Sequence, residues 1–322
     1  MKIINERMAV LERLSKAGET RIPLFCPNAE TPEEMIGILL GAQRHADHFD
    51  LPAITIGIGV TASYPDHPQL GLLAIPGAGV QTAAKLWLRW LQNCADCGIF
   101  ERVEAIPFID HGWVPAEQDR QLMEQVWFQD AMGIIMHDAS LYDFSENARL
   151  TSEYVERAGQ RVVIEACPDK VYERAEIERK NLQEAEMLSD PDSVARFVAE
   201  TGVDLVVPNL GTEHRTQSKV PLEYRRELAQ ALSSRIGPRL ALHGTSSLGD
   251  RLQTVGQDGI CKVNYYTAMA REASEHIKGE WNAIDPAAPL PISLASGAAI
   301  HAFRRDVFAK KTQSMLELLS SP

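Results

Sequence analysis

The amino-acid sequence predicts an α/β fold, a single (β/α)8 TIM barrel with long loops after its second and fifth strands. Eight short, nearly continuous apolar runs follow one another along the 322 residues, and stretches of helical period separate most of them. Parallel strands that are buried on both faces are apolar along their whole length, whereas half-exposed strands alternate. Eight such units favour a closed barrel over an open sheet, and the chain length suits a barrel with insertions.

The predicted elements alternate in order along the chain. An amphipathic helix is expected over 1–18, and a helical extension is expected over about 275–322. No internal repeat, low-complexity tract or linker separates these ends, so we expect one domain over 1–322. The predicted strands are IPLFCP (22–27), PAITIGI (52–58), VEAIPFI (103–109), MGIIMH (132–137), RVVIEA (161–166), DLVVPN (204–209), RLALH (239–243) and GICKVN (259–264).

Two segments are longer than an ordinary connection from a strand to a helix. Residues 59–79 are rich in proline and glycine, and residues 168–189 are strongly charged. Both segments follow the end of a predicted strand, so both are expected at the face of the barrel where active sites are built. Long loops at that face commonly act as lids.

The composition is that of a globular protein with an acidic surface. The formal net charge of −12 argues against nucleic-acid binding, because phosphate contacts require a basic surface. No apolar run approaches the roughly 20 residues of a membrane span, and the charged N-terminal stretch has no secretory-signal pattern. The five cysteines are widely spaced, and the Cys94–Cys97 pair has no second pair to complete a zinc site. We therefore expect a cytoplasmic protein with neither nucleic-acid nor membrane partners.

Three histidines, His111, His214 and His243, fall just beyond or at the end of predicted strands. The ends of different strands converge at one mouth of a barrel, so these imidazoles are expected to lie together. Three imidazoles with an open fourth position form a known catalytic zinc arrangement. His137, which ends the fourth strand, is the alternative ligand. Asp110 directly precedes His111, and the two side chains reach one site only if the chain turns there, because neighbours on a strand point to opposite faces.

Five short motifs, each at a strand end and in a fixed order, make the sequence similar to a known family. They are an Asp-His pair in FIDHGW (108–113), an Asp-x-Ser with a following Glu-Asn in HDASLYDFSENARLT (137–151), a Gly-x-x-His in GTEH (211–214), a His-Gly-x-Ser in HGTS (243–246) and a Lys-x-Asn in KVN (262–264). From about residue 20 to 275 the chain resembles the metal-dependent class II fructose-bisphosphate and tagatose-bisphosphate aldolases, as a divergent member. The resemblance implies a lyase of carbohydrate metabolism that reversibly cleaves a ketose phosphate or a related anionic sugar through a metal-bound enediolate.

The resemblance also implies roles for individual residues. Zn²⁺ or another divalent metal is expected on His111, His214 and His243. Asp110 is implied as the general acid/base at the hydroxyl group beside the cleaved bond. Asn264 is implied to help hold the enediolate.

Further family positions concern the substrate and the orientation of the metal ligands. Asn28 in FCPNAE matches an asparagine that orients the substrate, and Glu165 matches an acid that supports a ligand. Asp138 and Ser140 match positions that fix the direction of ligand side chains. The phosphate-binding positions of the family are Gly211, Gly244, Ser246 and Thr267 in this chain.

The chain departs from the family where substrate is bound. The second acid after strand five is Cys167, and the aspartate two residues past the strand-eight asparagine is Tyr266. The glycine after the strand-six histidine is Arg215. Either its guanidinium binds a phosphate or carboxylate, or the phosphate pocket is rebuilt for another acid or a different sugar, or Arg215 points to solvent. The serine at the end of strand two is absent, although Ser63 lies nearby.

The charged segment 168–189 replaces a glycine-rich loop of the family. We expect it to be a mobile lid that supplies a second acid/base, and the alternative is a solvated charged helix. Periodicity does not choose among its candidate acids. These candidates are Glu173, Glu176, Glu178 and Glu184.

Three alternatives stay open, one for the mechanism and two for the function. Lys262 lies at a predicted strand end and is the candidate for an imine in place of a metal-dependent route. A metal-dependent hydrolase on the same fold uses similar residues. A non-catalytic, sugar-phosphate-binding barrel is the third alternative, and the presence of Asp110 argues against it. The resemblance implies a homodimer or a homotetramer.

Overall fold

Strands alternate with helices in the computed structural model, which describes residues 1–65, 69–73, 76–170, 187–212, 223–285 and 288–321. The strands are β1 (Lys2–Ile3), β2 (Leu24–Pro27), β3 (Ile54–Val60), β4 (Val103–Trp113), β5 (Ile134–Asp138), β6 (Val163–Ala166), β7 (Leu205–Val206), β8 (Leu240–Leu242) and β9 (Ile260–Tyr265). The α-helices are α1 (Arg7–Thr20), α2 (Pro32–His48), α3 (Gln69–Leu73), α4 (Gly79–Asp96), α5 (Glu117–Met123), α6 (Val126–Ala131), α7 (Phe144–Ala158), α8 (Pro191–Thr201), α9 (Arg226–Ile236), α10 (Thr267–Asn282), α11 (Ile292–Ala295) and α12 (Ala298–Ser320). Two 3₁₀ helices, Thr245–Ser247 and Gly249–Asp258, connect β8 to β9.

The strands from β2 to β9 form a closed parallel ring. Neighbours from β3 to β9 pair in chain order, and β9 pairs back onto β2. The ring closes between β2 and β3, where Asn28 bridges Gly59 and the N–H of Ala29 donates to the Gly59 carbonyl at 2.8 Å. The predicted (β/α)8 barrel is therefore confirmed, with each of the eight predicted runs contributing one strand. All of these strands point their carboxyl ends to the same mouth, which is where the polar residues lie.

A short strand and α1 lie at the opposite end of the ring. The predicted helix over 1–18 begins at Arg7 instead, because β1 first pairs with the start of β4. The carboxylate of Glu6 caps α1 by accepting the N–H groups of Met8 at 3.1 Å and Ala9 at 2.9 Å. An uncapped start at residue 1 would leave such N–H groups to water alone.

The C-terminal helix α12 packs along α2 on the outside of the ring. Gly37 and Gly41 of α2 allow this approach, because a Cβ at Gly41 would overlap the carbonyl oxygen of Ala309. Arg304 of α12 donates to the buried carboxylate of Glu34, and its Nη2 lies 3.3 Å from the hydroxyl oxygen of Tyr266 in the barrel mouth. The predicted helical extension thus supports the barrel. The assignment of 1–322 to a single domain stays a prediction.

We expect Gly41→Ala to lower the free energy of unfolding by about 1–3 kcal/mol, because the added methyl group overpacks a helix contact. Chemical denaturation measures this change. The matched control is Gly279→Ala in α10, where an added Cβ meets nothing within 4 Å. That control should be neutral or slightly stabilising, by up to about 1 kcal/mol. Equal stability of the Gly41→Ala protein and its parent would contradict this packing.

Candidate active site

A β-bulge shapes the end of β4 at the mouth of the barrel. The pairing of β4 with β5 shifts register between Ile109 and Gly112, and His111 has a left-handed backbone with a φ of 55°. Such a bulge re-aims the side chains beside it, so Asp110 and His111 line the same cleft although they are neighbours in sequence. Gly112 is required here, because a Cβ would lie 2.8 Å from the carbonyl oxygen of Met136. The chain turn that brings Asp110 and His111 into one site is thus a bulge within β4.

Two imidazoles flank the carboxylate of Asp110. The Nδ1–H of His111 donates to Asp138 at 2.5 Å, and His111 Nε2 lies 3.9 Å from Asp110 Oδ1. The Nε2–H of His243 donates to Glu165 at 3.0 Å, and His243 Nδ1 lies 3.7 Å from the same Asp110 oxygen. Each ring is therefore held on one side by a buried carboxylate and turns its other nitrogen toward Asp110.

Two side-chain amides hold Asp110 in place. The Nδ2 of Asn28 donates to Asp110 Oδ2 at 2.8 Å, and the Nδ2 of Asn264 donates to Asp110 Oδ1 at 2.9 Å. Burial raises the pKa of Asp110, but the neighbouring charges, led by His243 and His111, outweigh burial and bring this pKa well below its usual value. The cleft therefore holds Asp110 as a carboxylate.

The cluster of Asp110, His111 and His243 fits a divalent cation. Their ligand atoms all lie within 4.8 Å of one another. Imidazole nitrogen and carboxylate oxygen are both common zinc ligands. Metal-binding histidines almost always donate their second N–H to a carboxylate, a carbonyl or water, as both imidazoles do here to Asp138 and Glu165.

Several predicted functional residues lie outside the described residues. They are the third predicted ligand His214, the substrate candidate Arg215 and the lid candidates Glu173, Glu176, Glu178 and Glu184. Their roles stay predictions, as does the role of segment 168–189 as a lid.

A buried ion pair between Lys262 and Glu165 lies inside the barrel beside the cleft. Lys262 Nζ lies 2.8 Å from Glu165 Oε2, donates to Asn264 Oδ1 and lies 4.6 Å from the centroid of the Phe108 ring. Burial lowers the pKa of Lys262, but the charge of Glu165 and other acidic groups outweighs burial and raises it. An imine requires a neutral amine that reaches the substrate. Lys262 is fully buried and does not line the described cleft, so this geometry disfavours the imine alternative.

The loop after β8 and the start of α10 form one wall of the cleft. Three predicted phosphate-binding residues, Gly244, Ser246 and Thr267, line this wall together with Tyr266. The hydroxyl oxygen of Ser246 accepts the N–H of Ala268 at 3.2 Å, in the first turn of α10. A helix N-terminus is a favourable environment for an anionic group.

Tyr64 also lines the cleft, although no sequence pattern predicts it. Its ring lies against the imidazole of His111 with the centroids 4.3 Å apart and the planes tilted by 31°, and it meets Trp113 edge to face at 5.0 Å. Asp119 anchors the loop that carries Tyr64, because its Oδ2 accepts the N–H groups of Ser63 at 3.2 Å and Trp113 at 3.0 Å. The sequence feature that could have indicated Tyr64 is an aromatic residue a few positions after a barrel strand. This feature does not distinguish a cleft residue from an ordinary loop residue.

Three residues that the sequence singles out lie away from the cleft. His137 faces α7, where its Nδ1 lies 3.3 Å from the Thr151 hydroxyl and its ring stacks on Tyr154; burial lowers the pKa of His137 to about 3. The thiol of Cys167 is buried, which raises its pKa well above the usual value and disfavours a thiolate ligand. Gly211 is not among the described residues that line the cleft, and its φ of 82° gives it a backbone reason to be glycine.

Most of the residues that line the cleft lie within a region that matches a family model, whereas Asn28 and Thr61 precede that region. The model for fructose-bisphosphate aldolase class-II matches residues 62–319. The chain belongs to the class II fructose-bisphosphate aldolase family. The matched region contains the bulge of β4, both imidazoles of the cleft and Asn264, so the resemblance that the five motifs indicate is confirmed.

This aldolase-family chain is similar to individual proteins as well. It is 30% identical over 183 residues to the uncharacterized protein YdjI of Escherichia coli strain K12, a match that spans 55% of this chain and 61% of that relative. The crystal structure of the YdjI aldolase from E. coli K12 superposes with a TM-score of 0.68 at 20% identity, over 100% of this chain and 98% of that one. The fructose-bisphosphate aldolase of Campylobacter jejuni superposes with a TM-score of 0.76 at 13% identity, over 99% of this chain and 95% of that one. The two structural likenesses support the barrel fold.

We expect His243→Ala to weaken Zn²⁺ binding, because it removes an imidazole nitrogen that faces Asp110. Loss of an outer carboxylate partner alone typically costs about 10- to 100-fold in metal affinity, and loss of a ligand should cost at least as much. Calorimetric titration of the metal-free protein measures this affinity. The control His276→Ala removes an exposed imidazole outside the cleft and should leave the affinity unchanged. Undiminished affinity in the His243→Ala protein would place the metal elsewhere.

Proposed function

We propose that this protein is a divalent-metal-dependent aldolase that reversibly cleaves a ketose phosphate or a related anionic sugar. The observation that carries the proposal is the position of Asp110, which lies between two donating amides and two imidazoles in one cleft. Membership of the class II fructose-bisphosphate aldolase family supports the same class of reaction.

His111 and His243 would hold the metal, with His214 as the third ligand predicted from sequence. When bound, the ion would supply Lewis-acid stabilisation of the negative charge that develops beside the carbonyl group as the carbon–carbon bond breaks. Asp138 and Glu165 would orient the two imidazoles by accepting their second N–H groups. In this proposal Glu165 therefore acts on the ligand His243 and not on the substrate.

Asp110 would remove the proton from the hydroxyl group on the carbon beyond the cleaved bond. That proton must leave as the carbon–carbon bond breaks, and a positioned carboxylate is a suitable general base. Asp110 Oδ1 faces the imidazoles and accepts from Asn264, whereas Oδ2 accepts from Asn28. Each carboxylate oxygen has two lone-pair sites, so Oδ2 retains one for the substrate hydroxyl group. In the condensation direction the same oxygen would return the proton.

The anionic group of the substrate would bind at the start of α10. Gly244, Ser246 and Thr267 line the cleft there, and the positive end of the helix dipole favours a phosphate or carboxylate. Gly211 and Arg215 are anion-binding residues by sequence prediction alone, and Gly211 does not line the described cleft. In this proposal Arg215 binds a second anionic group of the substrate. The preferred substrate would then differ from fructose 1,6-bisphosphate.

The proposed partner is thus a small anionic sugar. Within the described ranges, no helix is both long and apolar enough to cross a membrane. The cytoplasmic location, the homodimer or homotetramer and the absence of nucleic-acid partners stay predictions.

Asp110→Asn should lower the rate of aldol cleavage by about 10²- to 10⁴-fold, because an amide of nearly the same shape cannot accept the proton. The assay is retro-aldol cleavage of ketose bisphosphates, together with condensation of dihydroxyacetone phosphate with a panel of aldehydes. Asp130→Asn, at a half-exposed carboxylate paired with Arg161, is the control and should keep the parent rate.

Turnover of the Asp110→Asn protein within a factor of two of the parent would make Asp110 structural. A metal-loaded parent that hydrolyses phosphate esters or other bonds without forming an aldehyde would favour the hydrolase. A parent that binds sugar phosphates and converts none of them would favour the non-catalytic barrel.

A further inference from the structure

Lys262 has a position that the proposed reaction does not explain. It lies in the middle of β9 with its side chain inside the barrel, and it is fully buried. Burying an ammonium group costs several kcal/mol unless the group is paired and hydrogen-bonded. A buried ion pair is often no more stabilising than apolar side chains of similar volume. A gain in stability therefore does not explain why Lys262 is buried beside Glu165.

The ammonium group of Lys262 joins two parts of the cleft. On one side it contacts both carboxylate oxygens of Glu165, with Nζ 2.8 Å from Oε2 and 3.2 Å from Oε1, and Glu165 in turn accepts from His243. On the other side it donates to Asn264 Oδ1. The ring of Phe108 lies 4.6 Å from Nζ and provides a favourable face for the remaining positive charge.

The contact with Asn264 sets the direction of a carboxamide. A carboxamide has an acceptor end and a donor end, whereas an ammonium group can only donate. Lys262 therefore requires Oδ1 to face the barrel interior, which turns Nδ2 toward Asp110 Oδ1 at 2.9 Å. Without the ammonium group, the Asn264 amide would be fixed at its donor end alone.

We propose that Lys262 is a positioning residue that locks the Asn264 carboxamide with its N–H end toward Asp110 and the substrate. This inference rests on the proposed aldolase function for its kinetic consequence, because Asn264 acts there on the reacting groups. Lys262 itself touches no substrate. Its role is to keep a donor at a fixed point of the cleft, and small misplacements of such groups cost up to about 100-fold in rate.

The structural half of the proposal is testable on the metal-free protein, without any assay of activity. The probe is the side-chain amide NMR signal of Asn264 in ¹⁵N-asparagine-labelled protein, assigned by its disappearance in Asn264→Ala. Lys262→Met should shift or broaden this signal, because the oxygen of the amide loses its partner. The matched control Arg226→Met removes the partner of another buried carboxylate, Asp258, and should leave the signal in place. An unmoved Asn264 signal in Lys262→Met would overturn the proposal.

The kinetic half uses a double-mutant cycle on the metal-loaded enzyme. Lys262→Met should lower kcat about 10- to 100-fold with KM within a factor of two of the parent. In the Asn264→Ala background the same change should cost less than about twofold, because the group that it positions is gone. A full loss of kcat in that background would mean that Lys262 acts through Glu165 or through folding, and would contradict the proposal.

Two further measurements keep the outcome clear. Metal content is determined for every variant, since Glu165 also contacts a predicted ligand. If Lys262→Met does not fold, Lys262→Met combined with Glu165→Gln removes both buried charges, and the NMR signal is examined in that protein with Glu165→Gln as its reference. A parent that cleaves no ketose phosphate would defeat the proposed function, and the NMR result would then decide the positioning role by itself.

Discussion

The bulge at the end of β4 is the constraint on which the rest of the site depends. A regular strand would send Asp110 and His111 to opposite faces, and one of them would point into the helix layer. The left-handed backbone of His111, with a φ of 55°, brings both into the cleft. A non-glycine residue in this region costs about 1–3 kcal/mol. The hydrogen bond from His111 to buried Asp138 offsets a cost of this size, since bonds to charged groups contribute about 1.5–3 kcal/mol.

The charges of the cluster are arranged around this bulge in a definite order. Asp110 lies in the centre, the two imidazoles flank it, and Asp138 and Glu165 lie behind the imidazoles. In the state that binds a metal the two imidazoles are neutral, and the only buried cation among these residues is then the ammonium group of Lys262, which pairs with Glu165. Two negative charges are then left without a compensating cation among these residues. A divalent cation bound to neutral imidazoles would balance them, which is the protonation state that metal ligation requires.

Local patterns in the sequence predict most of the fold but less of the site. The eight apolar runs predict the eight barrel strands because a strand that is buried on both faces is apolar at nearly every position. Convergence of His111 and His243 is predictable as well, since strand ends meet at one mouth. The start of α1 at Arg7 and the pairing of β1 depend on contacts with a strand about 100 residues away, which no local pattern records.

Contacts between residues that are distant in sequence also explain the features of the site that sequence patterns do not predict. The direction of the Asn264 amide is set by Lys262 and Asp110 together, and Tyr64 reaches His111 through a loop that Asp119 anchors. His137 illustrates the reverse case, because alternation along β5 turns it toward α7 while Asp138 reaches the imidazole of His111. These outcomes depend on the face that a side chain occupies at the last position of a strand. Bulges and loops change the alternation of side chains there.

The most direct test of this account is the location of the bound metal in a crystal of the zinc-loaded protein, by anomalous scattering at the zinc absorption edge. We expect one strong peak beside Asp110, bonded to Nε2 of His111 and Nδ1 of His243, with Asp138 and Glu165 still accepting from the opposite nitrogens. A peak bonded to the opposite nitrogen of either imidazole, or a peak outside this cleft, would contradict it.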